Sequence, residues 1–212
     1  MKRCVILSAV PLGSWAKSWI KADDYIIACD AGYKNAERLS INADLVLGDF
    51  DSAPRPSRKD AIVLPTEKDD TDTHYAARIA VQNGFDKVLM LGALGGMRIE
   101  HTLANFATAL WLAKQGIRVE LANENSRITY VLPEHPVRLE HHQDEYFSLL
   151  PMEGTANGVC VRNAKYSIEN VQLTPEFPVG VSNETLKGGT EVLVGNGTLL
   201  LIRTKKDSVD AQ

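Results

Sequence analysis

At 212 residues the chain is long enough for one large domain or two modest ones. A net charge of −4, with 44% hydrophobic and 24% charged residues, is ordinary for a globular protein and excludes the basic footprint of a binder of nucleic acid or anionic membrane. No apolar run is long enough to span a bilayer, and the basic start, Met1-Lys2-Arg3, reaches Pro11-Leu12-Gly13 too soon for a signal peptide. Cys4, Cys29 and Cys160 are scattered and lack metal-site spacing, so a reducing cytoplasm is the expected setting.

Through about Asn125 short apolar runs alternate with helical patterns. Val5–Leu7, Tyr25–Cys29, Leu45–Leu47, Ile62–Leu64, Val88–Leu91 and Val119–Ala122 read as strands. Thr71–Asn83 reads as a helix capped by Asp70 or Thr71 and stopped at Gly84. Thr102–Gln115 carries Leu103, Phe106, Ala107, Leu110 and Trp111 at helical spacing, with Gly116 at its end. Strands alternating with helices predict a mainly parallel sheet covered on both faces.

After Asn125 the segments are short and separated by Pro, Gly or Asn: Ile128–Leu132, Val137–Leu139, Tyr146–Leu150, Gly158–Val161, Gln172–Leu173 and Glu191–Val194. Gly195-Asn196-Gly197 between Val192–Val194 and Thr198–Ile202 reads as the turn of a hairpin. The expected architecture is therefore α/β plus all-β: residues 1–125 an α/β domain, 126–206 a β-sandwich or small barrel, and 207–212 a polar tail.

Chemistry concentrates where the first-half strands end, which is where open parallel sheets bind ligands. Asp30-Ala31-Gly32, Gly48-Asp49-Phe50-Asp51-Ser52 and Gly92-Ala93-Leu94-Gly95-Gly96 each follow a strand. Asp-Gly-rich segments also make plain turns, which suits Asp30-Ala31-Gly32 equally well. Asp49 and Asp51 gain nothing structural from alternate placement. With Asp69, Asp70 and Asp72 nearby, such carboxylates stay ionised only around a cation, and a hard divalent metal carrying phosphates is the economical answer, with Lys68 beside it. Gly92–Gly96 matches neither common phosphate fingerprint, yet glycines leading into a helix let N–H groups approach an anion. Arg98 could grip phosphate or simply pair with Glu100, and His101 could cap the helix or touch substrate. Glu140-His141-His142-Gln143-Asp144-Glu145 reads as a solvated turn rather than a metal site.

In order along the chain, Asp30-Ala31-Gly32, Gly48-Asp49-Phe50-Asp51-Ser52, Lys68-Asp69-Asp70-Thr71-Asp72, the Gly92–His101 segment with Thr102-Leu103-Ala104-Asn105, and Gly180-Val181-Ser182-Asn183-Glu184 resemble the motifs of the bacterial thiamine pyrophosphokinase family. Ala31 stands for a glycine, Glu100 for an aspartate, and the glycine loop is one residue longer. The resemblance implies an α/β nucleotide domain followed by a β-sandwich, in a homodimer whose active sites lie between the first domain of one chain and the second of its partner. It implies Mg²⁺-dependent transfer of the diphosphate of ATP to the hydroxyl of thiamine, giving thiamine diphosphate and AMP. Asp49, Asp51 and Asp72 are the expected metal ligands and catalytic residues, with Asp49 or Asp72 also able to accept the alcohol proton. Asp30, Gly32, Lys68, Thr71 and Arg98 are expected at ATP, and His101, Ser182 and Asn183 at thiamine. Tyr166 or Phe177 would supply the stacking aromatic. Rival readings are a diphosphotransferase for another hydroxymethyl heterocycle of pterin type, a metal-dependent phosphohydrolase, and a non-enzymatic sensor of thiamine or nucleotide.

Overall fold

A computed structural model describes residues 3–50, 54–57, 60–67 and 69–207. They fall into two compact units that meet in sequence between Glu124 and Asn125.

The first unit is built from β1 (Arg3–Leu7), β2 (Tyr25–Cys29), β3 (Leu45–Gly48), β4 (Ile62–Val63), β5 (Lys87–Leu91) and β6 (Arg118–Ala122), with α1 (Gly32–Leu39), α2 (Asp72–Gln82) and α3 (Ile99–Lys114). The strands run in the order β4-β3-β2-β1-β5-β6, every pairing parallel. From β1 the chain winds outward through β2, β3 and β4, then returns to lay β5 on the other side of β1. That reversal leaves a crevice at the carboxyl ends of β1 and β5.

The inner strands are buried on both faces, as a parallel sheet covered by helices requires, while the edge strand β4 is exposed. Val5, Leu7, Ile26, Ala28, Val46, Leu89 and Leu91 share one core with Tyr33, Ala36 and Leu39 of α1 and with Leu12 and Ala16 of the segment after β1. The alternate residues, among them Ile6, Ile27, Leu47 and Met90, are equally buried toward the face where α2 crosses β1, β2 and β3.

Helix α1 is absent from the sequence reading, which leaves Asp30-Ala31-Gly32 open between a plain turn and a ligand-binding segment and names no helix after it. Its N-terminal residue Ala31 offers no side-chain cap. What seats it is Gly32, where a Cβ would lie 2.0 Å from the carbonyl oxygen of Leu7. The missing methyl lets the first turn press directly on the end of β1. Helix α3 starts at Ile99 rather than Thr102, because its first turn is solvated and so lies outside the apolar repeat: Ile99 is 63% exposed.

The second unit contains β7 (Ser126–Val131), β8 (Val137–Leu139), β9 (Glu145–Pro151), β10 (Ala156–Arg162), β11 (Ile168–Leu173), β12 (Thr190–Leu193) and β13 (Leu199–Lys205). Strands β7-β13-β9 lie in one sheet and β11-β10-β12-β8 in another, all antiparallel within the unit. Val131, Phe147, Leu149, Leu199 and Leu201 from the first meet Leu139, Val159, Val161, Leu173 and Val192 from the second in one core, a sandwich.

The predicted hairpin at Gly195-Asn196-Gly197 is not one. Strand β12 belongs to one sheet and β13 to the other, and the turn carries the chain across. The amides of Gly195 and Asn196 donate to the carbonyl oxygen of Asn157, and the amide of Asn157 donates to that of Asn196. These bonds spend the turn on β10 instead of on a β12–β13 ladder.

Candidate active site

Five segments converge on the crevice of the first unit: Ser8–Pro11 after β1, Cys29–Ala31 at the end of β2, Asp49 after β3, Asp70–Thr73 at the start of α2, and the loop from Gly92 to Arg98 before α3. They line a cavity of about 500 Å³, together with His101, Thr102 and Asn105 of α3.

Within it, one carboxylate oxygen from each of Asp30, Asp49 and Asp72 lies within 4.8 Å of the other two. Local backbone geometry explains the meeting. Asp30 sits in the left-handed region at φ 46, uncommon for a residue other than glycine, and its amide donates to the carbonyl oxygen of Leu47 at 2.8 Å. A Cβ on Gly48 would stand 2.9 Å from the Asp30 Cα, so a glycine there lets β3 end directly against it. Asp72 is the first residue of α2, whose cap is Thr71: the Thr71 hydroxyl accepts the His74 amide at 3.1 Å. The Oδ1 atoms of Asp30 and Asp72 are shielded from water.

The site includes Asp30 among its gathered carboxylates, where the sequence reading had set it with the nucleotide. Asp51 and Lys68 fall outside the described residues. Asp70 lines the cavity but turns its carboxylate to Arg78 at 2.7 Å. Cys29 also lines the cavity, and burial pushes its thiol well above the ordinary value, with the negative charges of Asp72 and Asp30 adding to the effect. The ligand atoms gathered by Asp30, Asp49 and Asp72 are hard oxygens.

Gly92, Gly95 and Gly96 of the loop before α3 also line the cavity. Gly95 has a positive φ of 85 and open space where a Cβ would project. The Thr102 hydroxyl takes the Gly95 amide at 3.0 Å and gives its own proton to the Gly95 carbonyl at 3.2 Å, while the side-chain Nδ2 of Asn105 donates to Ala93 O at 2.8 Å. Arg98 and His101 stand at the rim. Arg98 donates to Glu100 at 2.8 Å, which holds the Glu100 carboxyl below its usual range. Gly32 does not line this cavity; its place is against Leu7.

Ser182 and Asn183 belong to the second unit. Ser182 is exposed, with a left-handed φ of 57. Asn183 is 9% exposed and works inward: its Oδ1 accepts the amides of Tyr166 and Glu184, and its Nδ2 donates to Tyr166 O at 2.8 Å. Tyr166 and Phe177 are both exposed.

The model of the thiamin pyrophosphokinase catalytic domain matches residues 16–121, and that of the family's vitamin B1 binding domain matches residues 134–199. The chain belongs to the thiamin pyrophosphokinase family. By that membership it is an enzyme of the thiamine diphosphokinase class. It is 26% identical to a thiamine pyrophosphokinase of Bacillus subtilis over 165 residues, 74% of this chain and 76% of that one. The crystal structure of a thiamine pyrophosphokinase from Bacillus subtilis superposes with a TM-score of 0.85 at 21% identity, covering 97% of this chain and 99% of that one. Thiamin pyrophosphokinase from Geobacillus thermodenitrificans gives 0.84 at 23%, covering 98% and 99%. The enzyme from Candida albicans gives 0.80 at 16%, covering 97% and 89%. At these identities the superpositions speak for the fold. Where the motifs of this thiamin pyrophosphokinase family member lie in the described first unit, each contributes residues to the same cavity.

Proposed function

We propose that this chain transfers the diphosphate group of ATP to the hydroxyl of thiamine, releasing AMP, with Mg²⁺ held by Asp30, Asp49 and Asp72. The observation that carries the reading is the gathering of three carboxylate oxygens within 4.8 Å in a cavity also lined by the Gly92, Gly95 and Gly96 loop and by Arg98. Ionised carboxylates this close repel one another, and a hard divalent cation relieves the repulsion. The gathered ligand atoms are all carboxylate oxygens, a donor set that suits magnesium.

When bound, the metal neutralises phosphate charge and orients the triphosphate. The chain's own part is positioning. The start of α3 would offer backbone donors to an anion. Arg98, released from Glu100, would take phosphate oxygens in a bidentate grip, and Thr71 would meet the nucleotide beside Asp72. Asp49 or Asp72 would accept the alcohol proton as the new bond forms. Asp51 as a further ligand, Lys68 and Gly32 at ATP, and His101, Ser182 and Asn183 at thiamine enter this proposal through the family resemblance. So does a homodimer in which the second unit of the partner completes the thiamine site.

Incubating the protein with ATP, thiamine and Mg²⁺ should yield AMP and thiamine diphosphate in equal amounts, and a chelator should stop both. Sedimentation of the same sample should give twice the chain mass. Release of phosphate without any alcohol acceptor, or preference for a pterin alcohol in competition, would replace this reading with one of its rivals.

A further inference from the structure

Among the residues that do not line the cavity, Asn35 is distinguished by where its hydrogen bonds go. It lies on α1 between Tyr33 and Ala36, on a face that is otherwise apolar, and is 2% exposed. A polar group so buried persists when its bonds are complete. Its Nδ2 donates to Ser8 O at 2.8 Å and to Val10 O at 2.9 Å, and its Oδ1 accepts the Leu12 amide at 3.0 Å. One side chain thus holds three backbone groups of the loop that follows β1, and Ser8–Pro11 of that loop form a wall of the cavity.

The same loop is fixed from other sides. The amides of Ser8 and Val10 donate to Leu91 O and Gly92 O at 2.8 and 3.0 Å. A Cβ on Gly92 would fall 2.6 Å from Ser8 O and 2.8 Å from Val10 O, so the loop after β5 lies flush against it. The Ser8 and Thr73 hydroxyls are 3.1 Å apart, which ties the loop to the residue after Asp72.

We infer that Asn35 is a positioning residue for nucleotide binding: its carboxamide holds Ser8–Leu12 in the conformation that fits ATP against the Gly92–Arg98 loop. The inference rests on the proposed function, because it takes the cavity for the nucleotide site. The chemistry of the amide is specific. Two carbonyl oxygens need two donors, and the Leu12 amide needs an acceptor. An aspartate of the same shape would set a carboxylate against Ser8 O and Val10 O, and an alanine would leave all three groups without this partner.

The test is calorimetric titration of a non-hydrolysable ATP analogue with Mg²⁺ into the full chain, beside steady-state kinetics. For Asn35→Ser and Asn35→Asp the account expects nucleotide affinity to fall at least about tenfold, more for Asp, with KM for ATP rising in parallel. KM for thiamine and kcat at saturating ATP should stay within about twofold. A purely structural role would instead lower the folded fraction, and so kcat, at constant KM for ATP, and that split would overturn the inference. Hydrogen exchange on the native protein adds a readout that needs no variant: without nucleotide, the Leu12 amide should already exchange slowly. Rapid exchange there, or wild-type affinity in a folded Asn35→Asp protein, refutes the positioning role. If the native protein binds no nucleotide at all, it is the proposed function that fails.

Discussion

At Gly48 one methyl group decides whether three carboxylates can meet. The glycine ends β3 with room for its Cα beside that of Asp30, and a Cβ there would stand 2.9 Å away from the Asp30 Cα. A backbone clash of this kind costs roughly 1–3 kcal/mol and is relieved by moving the two strand ends apart. Gly48→Ala therefore keeps every proposed ligand yet should slow diphosphate transfer about tenfold or more, in a protein that still unfolds cooperatively. Unchanged turnover would show that the close approach is unnecessary. Sequence made Asp49 and Asp72 legible, because acids with no structural use at strand ends and helix starts demand another reason. It did not make Asp30 legible as their neighbour. That follows from β2 and β3 being adjacent and from a left-handed Asp30, neither of which spacing reveals. Asn35 carried a fainter signal, a polar residue between Tyr33 and Ala36 on an apolar helix face.

At the scale of elements, regular patterns were read well and locally unusual joins were not. The first-unit strands appear where alternating apolar runs placed them, and Thr71 caps α2. Helix α1 escaped because it begins on glycine, without a side-chain cap, and earns its place by packing. The Gly195-Asn196-Gly197 turn misled because the Asn-Gly signal describes the bend and not the strand beyond it.

The segment after Ser182 shows how the second unit holds its own joins. Glu184 receives Lys206 at 2.6 Å and also pairs with Lys165, tying the residue after β13 to two loops. Those lysines hold the Glu184 carboxyl below its ordinary value of 4.5, the Lys165 hydrogen bond contributing most. A carboxyl depressed in the folded state stabilises it above the ordinary value and loses that contribution as pH falls through the folded value. Urea unfolding of wild type and Glu184→Gln should thus differ by about 1 kcal/mol at neutral pH and converge below pH of about 4. A difference that stays constant over that range would assign the loss to packing instead of charge.

For the whole molecule, the change of rhythm near Asn125 falls where the two compact units meet in sequence. Alternating strands and helices build a parallel sheet whose winding reverses beside β1, and the reversal creates the crevice. Short strands split by Pro, Gly and Asn build an antiparallel sandwich. Among the described residues, no helix is long and apolar enough to cross a membrane. The fold class could be read from sequence because periodicity reports which faces are buried. The cavity could be placed at a sheet edge but not shaped, since its walls depend on contacts between residues far apart in the chain, such as Ser8 with Thr73 and Asn35 with Val10.

The central claim is that Asp30, Asp49 and Asp72 together hold the divalent cation on which diphosphate transfer depends. Its most direct test follows Mn²⁺ bound in the presence of a non-hydrolysable ATP analogue, by electron paramagnetic resonance, in wild type and in Asp30→Asn. The account predicts that the substitution weakens Mn²⁺ binding and lowers formation of thiamine diphosphate by about a hundredfold or more in a folded protein. Equal Mn²⁺ affinity and equal turnover in the two proteins would contradict it.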